Sequence, residues 1–142
     1  MSGFSPALFG RSPPLPSALS APAAEISVIG GDTLRLRGSV IRLAGLVAPQ
    51  RGEACRIAPV VDCGRAAAAA LAALVRGRGI VCALHGADRL GRPFAHCRAA
   101  GRDLNRAIVL AGWARTSGAW PALRRAEVEA RTAHRGTWAA LR

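Results

Sequence analysis

The residues of this chain best suited to cross-linking or metal binding are its four cysteines, Cys55, Cys63, Cys82 and Cys97. None of the gaps between them is the two-to-four-residue spacing that structural zinc sites use. An even number of cysteines without that spacing favours disulfides over metal ligation. We therefore predict two bridges, Cys55–Cys63 and Cys82–Cys97, with four free thiols in a cytosolic protein as the alternative.

The second pair follows from the predicted hairpin. Two β-rich runs flank the turn-rich segment 87–91, and a hairpin symmetric about that turn places Cys82 directly opposite Cys97. Because side chains alternate along a strand, His85 and His96 then lie on the other face. A combined Cys/His metal site would need all four side chains on one face, so we do not expect one here.

The charge of the chain points to anionic partners. It carries 20 basic residues, all arginine, against eight acidic residues, which gives a formal net charge of +12. Such an excess attracts polyanions, and the planar guanidinium suits phosphate. The alternative is that a general bias of the composition toward alanine and arginine, rather than an anionic partner, explains this charge. No apolar run approaches the roughly 18 residues that a membrane-spanning helix needs.

The first 24 residues differ in composition from the rest. They are rich in proline, alanine and serine and carry one charge, Arg11. We expect residues 1–24 to be a disordered leader or linker, and residues 25–142 to form one domain. The prolines interrupt the apolar stretch that a secretory signal requires, although Ala21–Ala23 resembles a small-residue cleavage site. A leader truncated by a misassigned start is the alternative.

Hydrophobic periodicity predicts five strands and three helices. Apolar residues alternate in three short runs within 25–45, and the hairpin supplies strands at 79–86 and 92–99. Asp62 caps a helix that reaches Val75, and further helices are predicted at 103–111 and 121–135. Five strands with a helix after the third suit a five-stranded Greek-key barrel of the OB type, an α+β fold that is mainly β.

Several motifs then resemble one family. The segments are Val28-Ile29-Gly30-Gly31-Asp32-Thr33-Leu34, Ile41-Arg42-Leu43-Ala44-Gly45-Leu46-Val47-Ala48-Pro49-Gln50, Asp88-Arg89-Leu90-Gly91-Arg92-Pro93 and Asp103-Leu104-Asn105-Arg106-Ala107. Their order and spacing resemble those of the thermonuclease, or staphylococcal-nuclease-like, family over about residues 26–140. The resemblance implies an OB-fold domain whose active members cleave DNA and RNA with one calcium ion.

The resemblance also implies that the catalytic site has degenerated. Asp32 matches a metal-binding aspartate of the family, whereas Gly30 stands where the first motif of the family has its first aspartate. Val47 stands where the family has its other metal-binding aspartate. Gln50 stands where the family has the glutamate that acts on water. Calcium prefers several carboxylate oxygens, and an amide cannot accept a proton as a general base does. Little or no hydrolysis is therefore expected. We expect no cofactor, and calcium or magnesium only if some activity persists.

The phosphate-contacting residues of the family are retained. Arg42 and Arg92 match the two family arginines that contact the phosphate. A purely structural role for Arg42, bound to Asp32 or a backbone carbonyl, is the alternative. Further substrate-binding candidates are the nearby arginines and a tryptophan whose ring suits stacking on a base: Arg35, Arg37, Arg51, Arg89 and Trp120. The alternative for Trp120 is a loop anchor, and Asn105 is expected to satisfy buried backbone groups.

Three functions remain open from the sequence. The first is a catalytically inactive domain that binds nucleic acid or another phosphate polyanion through its arginines. The second is a weak metal-dependent endonuclease, and the third is a protein-interaction scaffold. Two disulfides favour an exported protein, periplasmic or extracellular, over a cytoplasmic one. A monomer is expected.

Overall fold

A computed structural model describes residues 17–55 and 61–141. Its main elements are short strands and three helices in an α+β arrangement. The strands are β1 (Ala18–Ala21), β2 (Ile26–Gly30), β3 (Thr33–Leu36), β4 (Ser39–Leu43), β5 (Leu46–Val47), β6 (Ala54–Cys55), β7 (Val61–Asp62), β8 (Ile80–Ala87), β9 (Pro93–Ala99), β10 (Arg102–Asp103) and β11 (Arg115–Thr116). The helices are α1 (Cys63–Val75), α2 (Leu104–Leu110) and α3 (Pro121–Thr132), with 3-10 turns at Ala23–Glu25 and Gly136–Leu141.

The main sheet runs in the order β1-β8-β9-β4-β3-β2, and β10 pairs with β9. All neighbours along this path are antiparallel except β4 and β9, which are parallel. The path is not closed by hydrogen bonds. Its two end strands, β1 and β2, follow one another along the chain and are joined by residues 22–25. The predicted α+β fold with three helices is thus confirmed, although its sheet has more strands than predicted.

Strand β1 corrects the predicted domain boundary at residue 24. Its four residues pair in register with β8, from Ala18 opposite Ala83 to Ala21 opposite Ile80, and Ala21 is buried. The boundary is wrong for this segment, because hydrogen bonds to the edge of β8 order a sequence whose own strand propensity is weak. Residues 1–16 of the predicted leader lie outside the described residues.

The core lies between the concave face of the sheet and the helices. Alternate side chains of β3 and β4 are fully buried, as are Leu71 of α1 and Ile108 of α2. The buried strand residues are Leu34, Leu36, Ile41 and Leu43. Helix α1 begins where Asp62 accepts a hydrogen bond from the backbone N of Arg65, which confirms the predicted cap. The alternation therefore leaves the opposite face of β4 free to carry Arg42.

Both predicted cysteine pairs lie at disulfide distance. Cys82 and Cys97 are cross-strand partners with Cα atoms 4.0 Å apart, and both are buried in the core. Cys55 and Cys63 have Cα atoms 5.4 Å apart and connect β6 with the first residue of α1. The Cys55–Cys63 bridge thus links the segment that follows β5 to the N-terminal end of α1.

Asn105 joins three parts of the backbone inside the core, as predicted. It is fully buried, and its Oδ1 accepts a hydrogen bond from the backbone N of Cys97 at 3.0 Å. Its Nδ2 donates to the carbonyl oxygens of Ala44 and Ala95, each at 3.0 Å. This one amide fixes α2 against β9 and against the turn that follows β4.

In the part of the chain that the structure describes, no helix has both the length and the apolar character needed to cross a bilayer.

Candidate functional site

Asp32 lies in the turn between β2 and β3 with only 3% of its surface exposed. Its Oδ1 accepts a hydrogen bond from Thr33 Oγ1 at 2.8 Å. Its Oδ2 accepts from the backbone N of Ala48 at 3.0 Å and from a terminal guanidinium nitrogen of Arg42 at 3.4 Å. The carboxylate is therefore already engaged by donors on three different segments.

The three positions where the family has further carboxylates supply none here. Gly30 ends β2, and Val47 of β5 is 38% exposed beside Arg115 of β11. Gln50 is exposed, and its backbone N donates to a carboxylate oxygen of Glu53 at 3.1 Å.

This donor set does not fit a calcium ion. Calcium takes six to eight oxygen ligands, mostly carboxylates and carbonyls. Here one carboxylate, that of Asp32, faces the turn and is occupied by hydrogen-bond donors. Among residues 17–55 and 61–141, no group of three or more His, Cys, Asp or Glu side chains is close enough to hold a metal ion.

Arg42 and Arg92 converge on one oxygen atom. Arg92 Nε lies 2.7 Å from Asp88 Oδ2, and a terminal nitrogen of Arg42 lies 3.8 Å from the same oxygen. The other terminal nitrogen of Arg42 contacts Asp32. Acid and base thus alternate from Asp32 through Arg42 and Asp88 to Arg92, and we call these four residues the Asp/Arg chain. The structural and the phosphate-facing roles predicted for Arg42 are both compatible with this position.

Asp88 is the member of this chain that the sequence reasoning passed over. Its Oδ1 accepts from the backbone N atoms of Leu90 and Arg92, each at 2.9 Å, which is an Asx-type turn. Desolvation raises the pKa of Asp88, but the hydrogen bonds and positive charge of Arg92, with the Leu90 N–H, outweigh it and lower the pKa below 3.8. The signal was present in the sequence, because an aspartate three residues before Gly91 is typical of such a turn.

The two arginines remain accessible from one side. The side chain of Arg42 is 22% exposed and that of Arg92 is 37% exposed. The guanidinium carbon of Arg42 lies 5.8 Å from the centre of the Phe94 ring, a cation–π contact that limits its freedom. An incoming anion would therefore meet two positioned guanidinium groups.

The other predicted arginines are distributed unevenly around the Asp/Arg chain. Arg89 is exposed in the same turn as Asp88. Arg35 is exposed on β3, on the face that Arg42 shares across the β3–β4 ladder. Arg51 donates from Nε to the carbonyl oxygen of Ile29 at 2.9 Å, which draws it towards the end of β2 near Asp32.

Arg37 lies elsewhere. It follows β3 with a left-handed backbone, and its Nε contacts the Ser20 carbonyl at 3.1 Å and a Glu25 carboxylate oxygen at 3.5 Å. The Leu36↔Ser39 pair beside it is three ladder positions from the Thr33↔Arg42 pair. At about 3.3 Å per residue this is roughly 10 Å along the strands. Sequence proximity to Arg35 suggested a shared patch, but the turn after β3 directs Arg37 to a different partner.

Trp120 packs as part of an aromatic cluster. Its ring centre lies 4.5 Å from that of His96, and a Cβ at Gly45 would collide with the indole. The residue is still 39% exposed. These contacts favour the interpretation of Trp120 as a loop anchor. Stacking of its exposed part on a base stays a prediction.

Comparison with known proteins agrees with this architecture. The family model described as "Staphylococcal nuclease homologue" matches residues 40–140. The protein "Succinoglycan biosynthesis protein ExoI" of Rhizobium meliloti (strain 1021) is 37% identical over 92 residues, which is 62% of this chain and 48% of that protein. The chain therefore spans about half the length of this curated relative. Because the family model covers well over half of the chain, the chain belongs to the staphylococcal nuclease homologue family.

Proposed function

We propose that this domain binds nucleic acid or another phosphate polyanion through its arginines and does not hydrolyse it. One observation carries the proposal: Arg42 and Arg92 converge on a single oxygen of Asp88 while remaining accessible. Two guanidinium groups directed at one oxygen also suit the oxygens of a phosphate. The calcium ligands of active family members are, by contrast, reduced to Asp32.

The Asp/Arg chain leaves donors for a ligand. Arg92 uses Nε to bind Asp88, and among the described residues its terminal nitrogens have no hydrogen-bond acceptor. A phosphate that approaches from the exposed side accepts hydrogen bonds from these nitrogens without displacing Asp88. The charges of the two aspartates and two arginines of the Asp/Arg chain cancel. The electrostatic attraction of a polyanion therefore comes from the surrounding arginines Arg35, Arg51 and Arg89.

Hydrolysis lacks its proton acceptor. Gln50 can orient a water molecule through hydrogen bonds, but its amide does not take the proton that leaves as water attacks phosphorus. Loss of a general base alone costs about 10²–10⁴ in rate. The missing cation ligands act on the same step, so the two losses do not simply multiply.

The alternatives make different predictions. A weak endonuclease, with magnesium held by Asp32 and substrate oxygens, would nick DNA in a metal-dependent manner. A protein-interaction scaffold would bind no polyanion at physiological salt. We further propose that the domain is an exported monomer, since two cysteine pairs at disulfide distance suit an oxidising compartment.

The test combines a binding and a cleavage measurement on the same protein. Fluorescence anisotropy of a labelled single-stranded oligonucleotide in chelator should give binding that weakens steeply with added salt. Plasmid DNA incubated with protein and calcium or magnesium should stay intact. Chelator-sensitive nicking that Asp32→Ala abolishes would establish the nuclease instead. No binding above background at about 150 mM salt would favour the scaffold.

A further inference from the structure

A second group of chemistry-bearing side chains lies on the outer face of the β8–β9 hairpin. His85 and His96 have ring centres 4.9 Å apart with their planes at 82°. Trp120 covers the pair, with its ring centre 4.5 Å from His96 and 6.3 Å from His85. The nearby cysteines Cys82 and Cys97 face the core and pair with each other, so they take no part in this group.

The register of the hairpin places the two imidazoles on one face. Regular pairing places His96 opposite Ala83, and the register shifts between Leu84 and Ala87. Gly86 within this bulge has φ +68°, a conformation that favours glycine. His85 is two residues after Ala83, so strand alternation places it on the same face of the hairpin as His96, with the two ring centres 4.9 Å apart.

The spacing of the rings suits joint binding of one ion. Imidazole nitrogens bind zinc-like ions at about 2.0–2.1 Å, and the ring centre lies about 1.1 Å behind the nitrogen. For an angle of roughly 90–109° at the metal, the two ring centres then lie roughly 4.5–5.1 Å apart. The observed 4.9 Å falls within this interval. Because His85 is exposed, its ring can turn a nitrogen towards the ion without disturbing the core.

The surroundings favour the neutral imidazole that metals require. Burial lowers the pKa of His96, and the charge of a protonated His85 lowers it further, while Asp103 acts in the opposite direction. The exposed side of His85 leaves further coordination positions for water or an external ligand.

We propose that His85 and His96 form a two-histidine site for a divalent transition metal ion. Imidazole nitrogen prefers copper, nickel and zinc over calcium and magnesium, and copper(II) binds most tightly in this series. The proposed site shares no residue with the Asp/Arg chain or with the calcium position of the family. It differs from that position in ligand type, since both ligands are nitrogen atoms.

The test uses Trp120 as a built-in reporter. Copper(II) chloride is titrated into untagged full-length protein at neutral pH, and tryptophan fluorescence is recorded alongside calorimetry. About one equivalent should quench the emission, whereas calcium chloride at the same concentration should not. In Trp120→Phe most of the quenching should disappear while calorimetry still detects the ion.

Matched variants assign the ligands. His85→Asn and His96→Asn should each weaken copper binding at least about tenfold, because each removes one of two ligands. His134→Asn changes an exposed histidine with φ +54°, which asparagine tolerates, and should leave binding unchanged. If His96→Asn fails to fold, the variant His85→Asn, at an exposed position, still tests whether the histidines bind copper. Copper binding as tight in His85→Asn as in the natural chain would overturn the proposal.

Discussion

Arg92 Nε donates to Oδ2 of Asp88 at 2.7 Å, and the Oδ1 atom of the same carboxylate accepts from the Arg92 backbone N at 2.9 Å. Side chain and backbone of one arginine are therefore held by both oxygens of one aspartate. The contact positions the guanidinium before any ligand arrives, which lowers the entropy cost of gripping a phosphate. The arginine that we propose contacts phosphate is thus preorganised in this chain.

Removing either central arginine should weaken polyanion binding. Arg42→Ala and Arg92→Ala should each reduce affinity for single-stranded DNA at least about tenfold at low salt, since hydrogen bonds to charged groups contribute about 1.5–3 kcal/mol. Each should also reduce the slope of log affinity against log salt by about 0.7. Anisotropy titrations at several salt concentrations measure both quantities.

Arg124→Ala is the matched control for these variants. It removes one positive charge from the exposed surface of α3 and should change affinity little. If all three substitutions weaken binding equally, net charge alone explains the affinity and the Asp/Arg chain is not the binding site.

Asp88 should contribute stability that disappears in acid. Its pKa is lowered in the folded protein, so its contribution is fully present above the unfolded value of 3.8 and is lost as pH falls through the folded value. Asp88→Asn keeps the shape but removes the charge. Thermal unfolding followed by circular dichroism should give a lower midpoint for the variant at pH 7, and the gap should narrow below about pH 4. A gap that stays constant with pH would contradict this assignment.

Asn105→Ala should destabilise the fold strongly. The substitution removes the Asn105 partner of the buried Cys97 N–H and of the Ala44 carbonyl, whereas the Ala95 carbonyl keeps a hydrogen bond from the backbone N of Ala44 at 2.8 Å. At about 1–3 kcal/mol for each unsatisfied group, the free energy of unfolding should fall by about 2 kcal/mol or more. Urea denaturation measures it, with the exposed Arg106→Ala on the same helix expected to stay within about 0.5 kcal/mol of the natural chain. A loss under about 1 kcal/mol for Asn105→Ala would show that the amide is dispensable.

The two bridges should differ in accessibility. Cys82 and Cys97 are both buried in the core, whereas Cys55 is half-buried. Mild reductant followed by alkylation and mass spectrometry should therefore label Cys55 and Cys63 first, and the core pair only after denaturation. Each bridge should contribute about 2–3 kcal/mol to stability. Alkylation of four thiols in denaturant without reductant would favour the cytosolic alternative.

The sequence predicted best where one local period decides the structure. Symmetry of the two β-rich runs about the turn predicted the pairing of Cys82 with Cys97, and a shift of one strand by one residue would turn its cysteine out of the core. It missed β1, whose Ala-Leu-Ser-Ala segment has little preference of its own and is ordered by pairing with β8.

The pairing of acids with arginines in the site was harder to predict, because it depends on contacts between segments far apart in the sequence. The family motifs identified Arg42 and Arg92, but which acid holds them depends on how β4 and the turn after β8 meet in space. Motif spacing does not predict this spatial arrangement. The role of Asp88 was therefore missed, and Arg37 was grouped with arginines although it contacts Glu25 instead.

Restoring the missing carboxylates tests the central claim most directly. Gly30 is not in a left-handed conformation and has room for a side chain, with Asp32 Oδ1 the nearest atom at 3.9 Å, and the side chains at Val47 and Gln50 are accessible. Plasmid cleavage by the natural chain and by the folded Gly30→Asp/Val47→Asp/Gln50→Glu variant is compared with calcium and with chelator. We predict no cleavage by the natural chain and calcium-dependent cleavage by the variant. Calcium-dependent cleavage by the natural chain, or an inert but folded variant, would contradict the account.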